Sequence, residues 1–252
     1  MAKQSGLGDN AYVGGYDLSG DVAVLTAIRG GPALLDVTAI NKSAFERIGG
    51  LREGEISFNT WFNDAAGQEH IALRGLPTAD VLVMYARGTT LGNPGAFITA
   101  KQVNYDWTRA ADGSLQGAVQ ALANAYGLTW GKLLTAGKRT DTGATNGTGV
   151  DFAGGGSKLF GLVAQLQVFA FTGTDATVRI QESSDDGAGD AYANVTGGAF
   201  TQITSGPAAE RIVSSLTQMV ERYLRVITET TGGFSSLVFA VACERHEVAV
   251  AY

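Results

Sequence analysis

Short apolar runs separated by glycine-rich or aspartate-rich turns occur along the whole chain, a pattern that favours β-strands over helices. Residues 54–62 alternate clearly, with Ile56 and Phe58 on one side and Ser57 and Asn59 on the other. The predicted strands cover residues 22–28, 33–38, 54–62, 81–86, 95–107, 114–125 and 128–134, then 162–171, 176–182, 200–203, 211–213, 223–228, 237–243 and 248–250.

Two of these runs also predict how their side chains are shared between faces. Residues 81–86 are continuously apolar, as in a strand that is covered on both faces. Residues 162–171 alternate, which places Gln165 and Gln167 opposite a face of leucine, alanine and valine. Many short strands with regular turns predict a mainly β fold built as sandwiches or barrels.

One short helix is predicted between the strands of the first part of the chain. Asn63 or Asp64 can cap its start, since a short side-chain oxygen satisfies an exposed N–H group of the first turn. The helix covers residues 65–74, and Gly75 followed by Pro77 ends it. Its modest apolar stripe indicates a cover on the edge of a sheet.

A segment rich in glycine, threonine and small polar residues divides the chain. We predict a linker over residues 138–158, between a β domain of residues 1–137 and a second β-sandwich domain of residues 159–252. Val150–Phe152 is the apolar exception in this segment and is an alternative first strand of the second domain.

Charge is sparse and unevenly distributed. The chain has 252 residues, 35 of them glycine, and only 17% are charged. Residues 1–140 carry 12 basic and 12 acidic side chains, whereas residues 141–252 carry 6 and 12, so the net charge of −6 lies in the second part. A pI near 4.9 and the lack of basic clusters argue against a protein that binds DNA through its phosphates.

The apolar content is too high for a disordered chain but is not arranged for a membrane helix. The longest apolar runs, residues 81–86 and 237–243, are far shorter than the ~20 residues that a membrane helix needs. The first six residues lack the apolar stretch of a signal peptide. Cys243 is the one cysteine, so no internal disulfide is expected, and its apolar surroundings predict a buried, inert thiol.

Side chains able to carry catalysis are few and scattered. His70 and His246 lie in different predicted domains, so a zinc site would require them to meet with a carboxylate. Gly131-Lys132 and Gly137-Lys138 lack the flanking residues of a phosphate loop, and residues 154–158 (GGGSK) lack its spacing. We therefore predict no catalytic, cofactor-binding or metal-binding residues and no enzymatic activity.

Two features of the sequence are compatible with the binding of a ligand. Asp185–Asp190 groups carboxylates on a glycine-containing loop, which either holds a calcium ion or is a solvated acidic turn; its spacing does not match an EF-hand. Trp61, Trp107 and Trp130 all lie on or near strands of the first domain, where aromatic rings serve a core, an interface or the stacking of a sugar.

Several motifs, taken in order, resemble the major tail proteins (tail tube proteins) of long-tailed bacteriophages with non-contractile tails. The resemblance covers residues 15–140, and the order of the motifs is more specific than any one of them. The motifs are FNDAAGQEH at 62–70, LRGLPT at 73–78, VLVMY at 81–85, RGTTLG at 87–92, KQVNYD at 101–106, DGSL at 112–115, YGLTWG at 126–131 and LTAG at 134–137.

The resemblance implies a tail-tube-type β-sandwich or barrel with one flanking helix, followed by an appended jelly-roll or immunoglobulin-like sandwich. Copies would pair strand edges in hexameric rings, and the rings would stack into a tube that conducts double-stranded DNA during ejection. The implied partners are further copies of the chain and the tape-measure, tail terminator and distal tail proteins. The implied location is the virion tail, assembled in the host cytoplasm.

A DNA conduit must not bind phosphates, so we expect a neutral to acidic lumen. Glu53, Glu55, Asp106 and Asp112 are the candidate lumen carboxylates. The acidic second domain is expected outside the tube, so that tubes would still form after its removal. The alternatives are a capsid-decorating or other virion protein, and a glycan-binding β-sandwich module.

Overall fold

The computed structural model describes residues 5–154 and 156–250, and it confirms a mainly β chain with one short helix. The elements are β1 (Asn10–Val13), β2 (Tyr16–Asp17), β3 (Val22–Asp36), β4 (Arg47–Trp61), α1 (Glu69–Leu73), β5 (Val81–Ala86), β6 (Pro94–Gln102), β7 (Asp106–Arg109), β8 (Leu115–Ala123), β9 (Thr129–Leu133), β10 (Arg139–Asp141), β11 (Thr145–Asn146), β12 (Val150–Asp151), β13 (Leu162–Gly173), β14 (Thr177–Ser183), β15 (Ala193–Ala199), β16 (Ala208–Val213), β17 (Tyr223–Glu229) and β18 (Phe234–Arg245).

The strands form two antiparallel sheets. Across the described residues, thirteen strands join one large sheet in the order β16-β13-β18-β9-β6-β5-β1-β2, with β10 paired to β18. A branch leaves β6 through β8 to β4 and β3, and β7 pairs with β8. The smaller sheet contains β15, β14 and β17, with β11 and β12 both paired to β17. Strands from both halves of the sequence therefore share the large sheet.

Buried side chains form three clusters, because β5, β6, β13 and β18 are covered on both faces. Alternate residues of these strands point to opposite sides: Val83 and Ile98 enter one cluster, whereas Met84 and Phe97 enter the next. We call the cluster that contains Val83 and Ile98 the N-terminal core, the cluster that contains Met84 and Phe97 the junction core, and the third cluster the C-terminal core. The junction core contains Tyr12, Met84, Ala86, Phe97, Leu133, Val163, Ala240 and Ala242. The continuous apolar run 81–86 was thus correctly predicted to be covered on both faces.

Two glutamines complete the junction core. Gln165 and Gln167 lie on the predicted face of β13, but both are fully buried rather than solvated. Gln167 donates to the carbonyl of Leu82 at 3.0 Å and accepts from the N–H of Gly15 at 2.6 Å. Gln165 donates to the carbonyl of Ile98 at 3.0 Å. The side-chain amides thereby satisfy main-chain groups of the facing strands, as burial requires.

Three short strands lie within residues 138–158, the segment predicted to be a linker. It contains β10, which pairs with β18, and β11 and β12, which pair with β17. Its polar residues are used internally: Arg139 binds Asp141 in a bidentate pair, and Thr228 donates to Asp141 at 2.8 Å. A glycine- and threonine-rich composition therefore reflects short strands held by polar contacts here, not a flexible connection.

Several predicted element bounds change because pairing with distant residues decides them. The strands predicted at 22–28 and 33–38 are one strand, β3, which passes through Gly30 without interruption. The helix is shorter than predicted, with Gln68 rather than Asn63 at its N-cap.

The second half also departs from the predicted strands at two places. Residues 200–203 and 248–250 are not strands; Phe200 is buried in a loop that follows β15. In the first half, the hairpin between β7 and β8 turns at Gly113, which has φ +93°. No helix among the described residues is long and apolar enough to cross a membrane.

Candidate assembly surface

The β3–β4 hairpin extends beyond the rest of the large sheet. The two strands pair with each other from Val22–Thr60 out to Asp36–Arg47, whereas β4 pairs with β8 only from Glu55 to Trp61. Residues 31–53 therefore form a two-stranded ribbon with its connecting loop, which we call the arm. A two-stranded ribbon alone is marginally stable in water.

The arm exposes large apolar side chains on both faces. Leu35 and Ile48 are directly opposite each other and share one face, while Leu34 occupies the other face opposite Gly49. Leu34 is 70% exposed and Leu51 is 86% exposed. The exposed apolar residues of the arm are Leu34, Leu35, Val37, Ile40, Phe45, Ile48 and Leu51. Such a concentration indicates an interaction surface.

Local polar contacts shape the tip of the arm. Asp36 accepts hydrogen bonds from the N–H and hydroxyl of Thr38, and the Thr38 hydroxyl accepts from the N–H of Glu46 at 2.8 Å. These Thr38 bonds hold the pKa of Asp36 below its usual range. The guanidinium of Arg47 stacks over the ring of Phe45 at 4.7 Å. The tip is therefore a defined loop that presents Phe45 and its neighbours outwards.

A pair of glycines anchors the root of the arm. Gly30 and Gly54 are directly opposite each other, and Leu128 lies over both. A Cβ on Gly30 would lie 2.6 Å from the Leu128 Cβ, and one on Gly54 would lie 2.5 Å from the Leu128 main-chain nitrogen. Only glycine at both positions lets the loop before β9 cross the ribbon at this point.

The outer edge of β3 is poorly suited to continuous strand pairing. β4 is its one partner among the described strands, and three register shifts interrupt the β3–β4 ladder, at Val22/Val24, Leu25/Ala27 and Pro32/Leu34. Bulges and proline are the devices that protect sheet edges from unwanted pairing. Contacts through the side-chain faces of the arm are therefore favoured over a long edge-to-edge ladder.

Three of the four candidate lumen carboxylates lie on one sheet face. Glu53 and Glu55 alternate along β4 with inward-facing residues, and Asp106 of β7 pairs with Ala118, which in turn pairs with Asn59. We call the solvent-facing side of β3, β4, β8 and β7 the outer face. Asp112 instead lies in the β7–β8 turn, where its carboxylate accepts from the N–H of Ser114 at 2.9 Å.

Glu55 is the most constrained acid of the outer face. It is only 6% exposed, and it accepts hydrogen bonds from Ser57 at 2.5 Å and from Gln120 at 2.9 Å. Arg29 forms a salt bridge with it. The Ser57 bond, followed by Gln120 and Arg29, lowers the pKa of Glu55. The Arg29–Glu55 pair is neutral overall, so Glu53 and Asp106 leave the outer face acidic.

The histidines and the cysteine lie apart in the described parts of the chain. His70 lies on α1, His246 is buried after β18, and Cys243 is buried within β18, where burial raises the pKa of its thiol. No group of three or more His, Cys, Asp or Glu side chains is arranged to hold a metal among the residues 5–154 and 156–250.

The acidic loop of Asp185–Asp190 uses its carboxylates internally. Asp185 accepts from the N–H of Gly189 at 2.6 Å, and Asp190 accepts from the N–H of Ser184 at 2.8 Å. The N–H groups of Asp190 and Gly189 lower the pKa of Asp185, and the N–H of Ser184 lowers the pKa of Asp190. Burial and the nearby Asp190 raise the pKa of Glu221 to about 7. The carboxylates thus stabilise the loop, which accounts for its composition as an acidic turn.

The three tryptophans do not form a common surface. Trp107 packs against Phe62 and Tyr105 with ring centroids 5.2 Å apart, and Trp130 contacts Tyr85 edge-on at 6.2 Å. Trp61 alternates with inward-facing residues on β4 and lies on the outer face, 43% exposed. Edge-to-face packing of Trp107 and Trp130 is typical of structural aromatic contacts.

Sequence reasoning missed the arm, because it predicted separate strands at 22–28, 33–38 and 54–62 and not one long hairpin.

Comparison with known proteins gave no matching family model and no matching curated protein. Among solved structures, the chain is similar to the Dit protein (gp 19.1) of phage SPP1, described as a paradigm of the hub adsorption apparatus in phages that infect Gram-positive hosts. The identity is 11% over 94% of this chain and 99% of that chain, with a TM-score of 0.34.

Chains of the phage p2 baseplate in its activated conformation are also similar. The structure with Sr has 10% identity over 95% of this chain and 99% of that chain, with a TM-score of 0.33. The structure with Ca has 11% identity over the same shares, with a TM-score of 0.31. These similar structures are of a phage hub protein and a phage baseplate, not of major tail proteins, and their TM-scores lie below the values of a shared fold.

Proposed function

We propose that this chain is a structural protein of a bacteriophage tail that assembles with copies of itself through the arm. The order of tail-protein-like motifs along residues 15–140 supports the tail assignment. The observation that carries self-assembly is the arm, on which seven large apolar side chains are exposed on a ribbon supported only at its root. Burying such residues against a neighbour is favourable, since each removes apolar surface from water.

The charge of the arm favours another copy of the chain as its partner. Acidic and basic side chains are equal in number and interspersed, so two arms do not repel each other as two like-charged surfaces would. An arm that is apolar on both faces fits contacts in which one surface meets a different surface of the next copy, the arrangement that closes into rings. The charged side chains of the arm are Asp36, Glu46 and Glu53, with Lys42, Arg47 and Arg52.

The finer proposal is that hexameric rings stack into a tube and that the outer face lines its bore. The outer face carries Glu53 and Asp106, and its one cation, Arg29, is paired with Glu55. Such a surface would let DNA pass without holding its phosphates. The role we propose is structural, without enzymatic activity or a cofactor, in contact with other tail proteins of the virion.

Electron microscopy of the purified full chain, combined with light scattering after size exclusion, tests this function. We expect rings or stacked rings for the unaltered protein. The double variant Ile40→Ser with Phe45→Ser should stay folded but shift to monomer, because it removes two apolar contacts at the tip of the arm. The matched control is Met219→Ser with Val248→Ser, two exposed apolar residues outside the arm.

The outcomes separate the parts of the proposal. A protein that stays monomeric at high concentration, or arm and control variants that assemble equally well, would contradict self-assembly through the arm. Rings that never stack would contradict the tube but not the ring. A reconstruction in which lysine and arginine side chains line the bore continuously would contradict the outer face as the conduit surface. Sugar binding by a monomer would favour a glycan-binding module.

A further inference from the structure

A fully buried carboxyl group lies where α1 packs on the large sheet. Glu69, the first residue of α1, has no exposed surface, and no lysine or arginine among the described residues neutralises its carboxyl group. The hydrogen-bond donors beside it are uncharged: the Tyr105 hydroxyl, the Asn63 N–H and the buried hydroxyl of Thr60 on β4. An ionised carboxylate is costly to bury without a cation, so this arrangement suits the uncharged acid.

Aromatic rings from three segments pack together beside this carboxyl. Phe62 contacts Trp107 at 5.2 Å between centroids, Trp107 contacts Tyr105 at 5.2 Å, and His70 lies 4.9 Å from Phe62. The Tyr105 hydroxyl and the His70 Nδ1 are 2.7 Å apart and share a hydrogen bond. The cluster thus connects the end of β4, α1 and β7 around an apolar site.

The charged and titratable groups around Glu69 do not neutralise it. Asp21, from the loop before β3, accepts from the Glu69 N–H at 3.0 Å and from the Asn63 amide at 2.8 Å. This second acid thus binds the main chain at the start of α1 and supplies no cation to the Glu69 carboxyl. α1 itself contributes His70, followed by Arg74, and the approach to β7 contributes Tyr105, whereas β4 contributes the uncharged Thr60.

We propose that Glu69 is a protonation-dependent latch. When the carboxyl is uncharged, it stays buried and residues 62–80 are held against the sheet. When it ionises, its hydration favours release of that segment, and the aromatic cluster opens with it. The free energy that drives the opening is the cost of burying the charged form.

The direction of the pH effect follows from the surroundings of the group. Burial raises the pKa of Glu69, and the nearby Tyr105, Asn63 and Thr60 offset only part of that rise. The open segment loses its proton at the ordinary pKa of a glutamate, whereas the closed segment keeps it to a higher pH. Closure is therefore fully stabilised below the ordinary pKa and weakens as pH rises towards the pKa of the buried group.

Hydrogen exchange followed by mass spectrometry on the full chain tests the latch. Protection of residues 62–80 is measured between pH 5 and pH 8, corrected for intrinsic exchange, with β13 and β18 as internal references. In the unaltered protein, we expect protection of this segment to fall by up to ten-fold per pH unit over part of the range. Glu69→Gln should show no such slope and greater protection at pH 8.

A matched control uses a second carboxyl that is distant in sequence. Glu221→Gln alters another acid with a raised pKa and should leave the pH slope of residues 62–80 unchanged. The latch is overturned if Glu69→Gln keeps the slope of the unaltered protein, or if the unaltered protein has none. Should the variant fail to fold, the ¹³C chemical shift of the Glu69 carboxyl decides: titration in the ordinary range of glutamate overturns the proposal.

Discussion

At the scale of single residues, buried amides replace main-chain pairing where two faces of the molecule meet. Gln167 binds the N–H of Gly15 and the carbonyl of Leu82, two groups that belong to different elements. Gly15 allows this approach, because a Cβ there would lie 2.5 Å from the main-chain nitrogen of Ala208. One side chain thus satisfies the buried N–H of Gly15 and adds a second donor to the Leu82 carbonyl, which also accepts from the Gly14 N–H at 2.9 Å.

Gln167→Leu should destabilise the fold by about 1–3 kcal/mol, because it leaves the buried N–H of Gly15 without an acceptor while keeping a similar volume. The free energy of unfolding from urea denaturation measures the loss. Gln202→Leu is the matched control, since Gln202 is exposed, and it should change stability little. Equal effects of the two substitutions would contradict a special role for the buried amide.

Sequence patterns predicted the position of these glutamines but not their environment. The alternation of residues 162–171 correctly separated Gln165 and Gln167 from the apolar face. It could not show that the polar face would also be buried, since that depends on strands about 65 to 150 residues earlier in the chain that satisfy the amides. The same limit applies to Glu69, whose hydrogen-bond donors include Tyr105, a residue that lies two strands later in the chain.

At the scale of elements, the arm depends on its root for its direction. The facing glycines Gly30 and Gly54 are not in the left-handed region, so their role is the space that they leave for Leu128. Gly54→Ala should destabilise the protein by about 1–3 kcal/mol by forcing Leu128 and its loop away from the ribbon. Thermal unfolding of the variant measures this loss.

Gly143→Ala is the control for that substitution, because a Cβ at Gly143 meets no atom within 4 Å. We expect its unfolding temperature to match that of the unaltered protein or to exceed it slightly. If Gly54→Ala assembles and unfolds like the control, Leu128 does not fix the root of the arm. If it stays folded but assembles poorly, the direction of the arm is what assembly requires.

Strand existence was easier to predict than strand length and pairing. Residues 81–86 form β5 with the predicted bounds, because a continuous apolar run of that length suits a strand covered on both faces. The separate strands predicted at 22–28 and 33–38 imply a break at Gly30 and Gly31, whereas pairing with β4 carries β3 through them. Pairing with a long neighbouring strand therefore overrides a local signal for a turn, here where the opposite strand is also glycine-rich.

At the scale of the whole molecule, the charge difference between the two parts of the sequence does not coincide with a break in the structure. The C-terminal core lies almost entirely within residues 134–243, and the N-terminal core within 13–121, as two domains would require. The junction core, however, draws on both, and β18 continues the large sheet from β9 through Ala242–Leu133. The acidic part is thus bound to the arm-bearing part by a shared sheet and core.

Because of this connection, we expect removal of residues 141–252 to disrupt the fold, which is the opposite of the result expected for a removable outer domain. A chain ending at residue 140 would lose β13 and β18, which would expose the junction core residues Met84, Phe97 and Leu133 and leave the edge of β9 unpaired. We expect such a fragment to aggregate or to give poorly dispersed amide signals in NMR spectra, because the exposed apolar surface and strand edge favour association. A fragment that folds and forms rings by electron microscopy would show that residues 141–252 are an independent appendage. The full chain, measured in parallel, controls for the conditions of assembly.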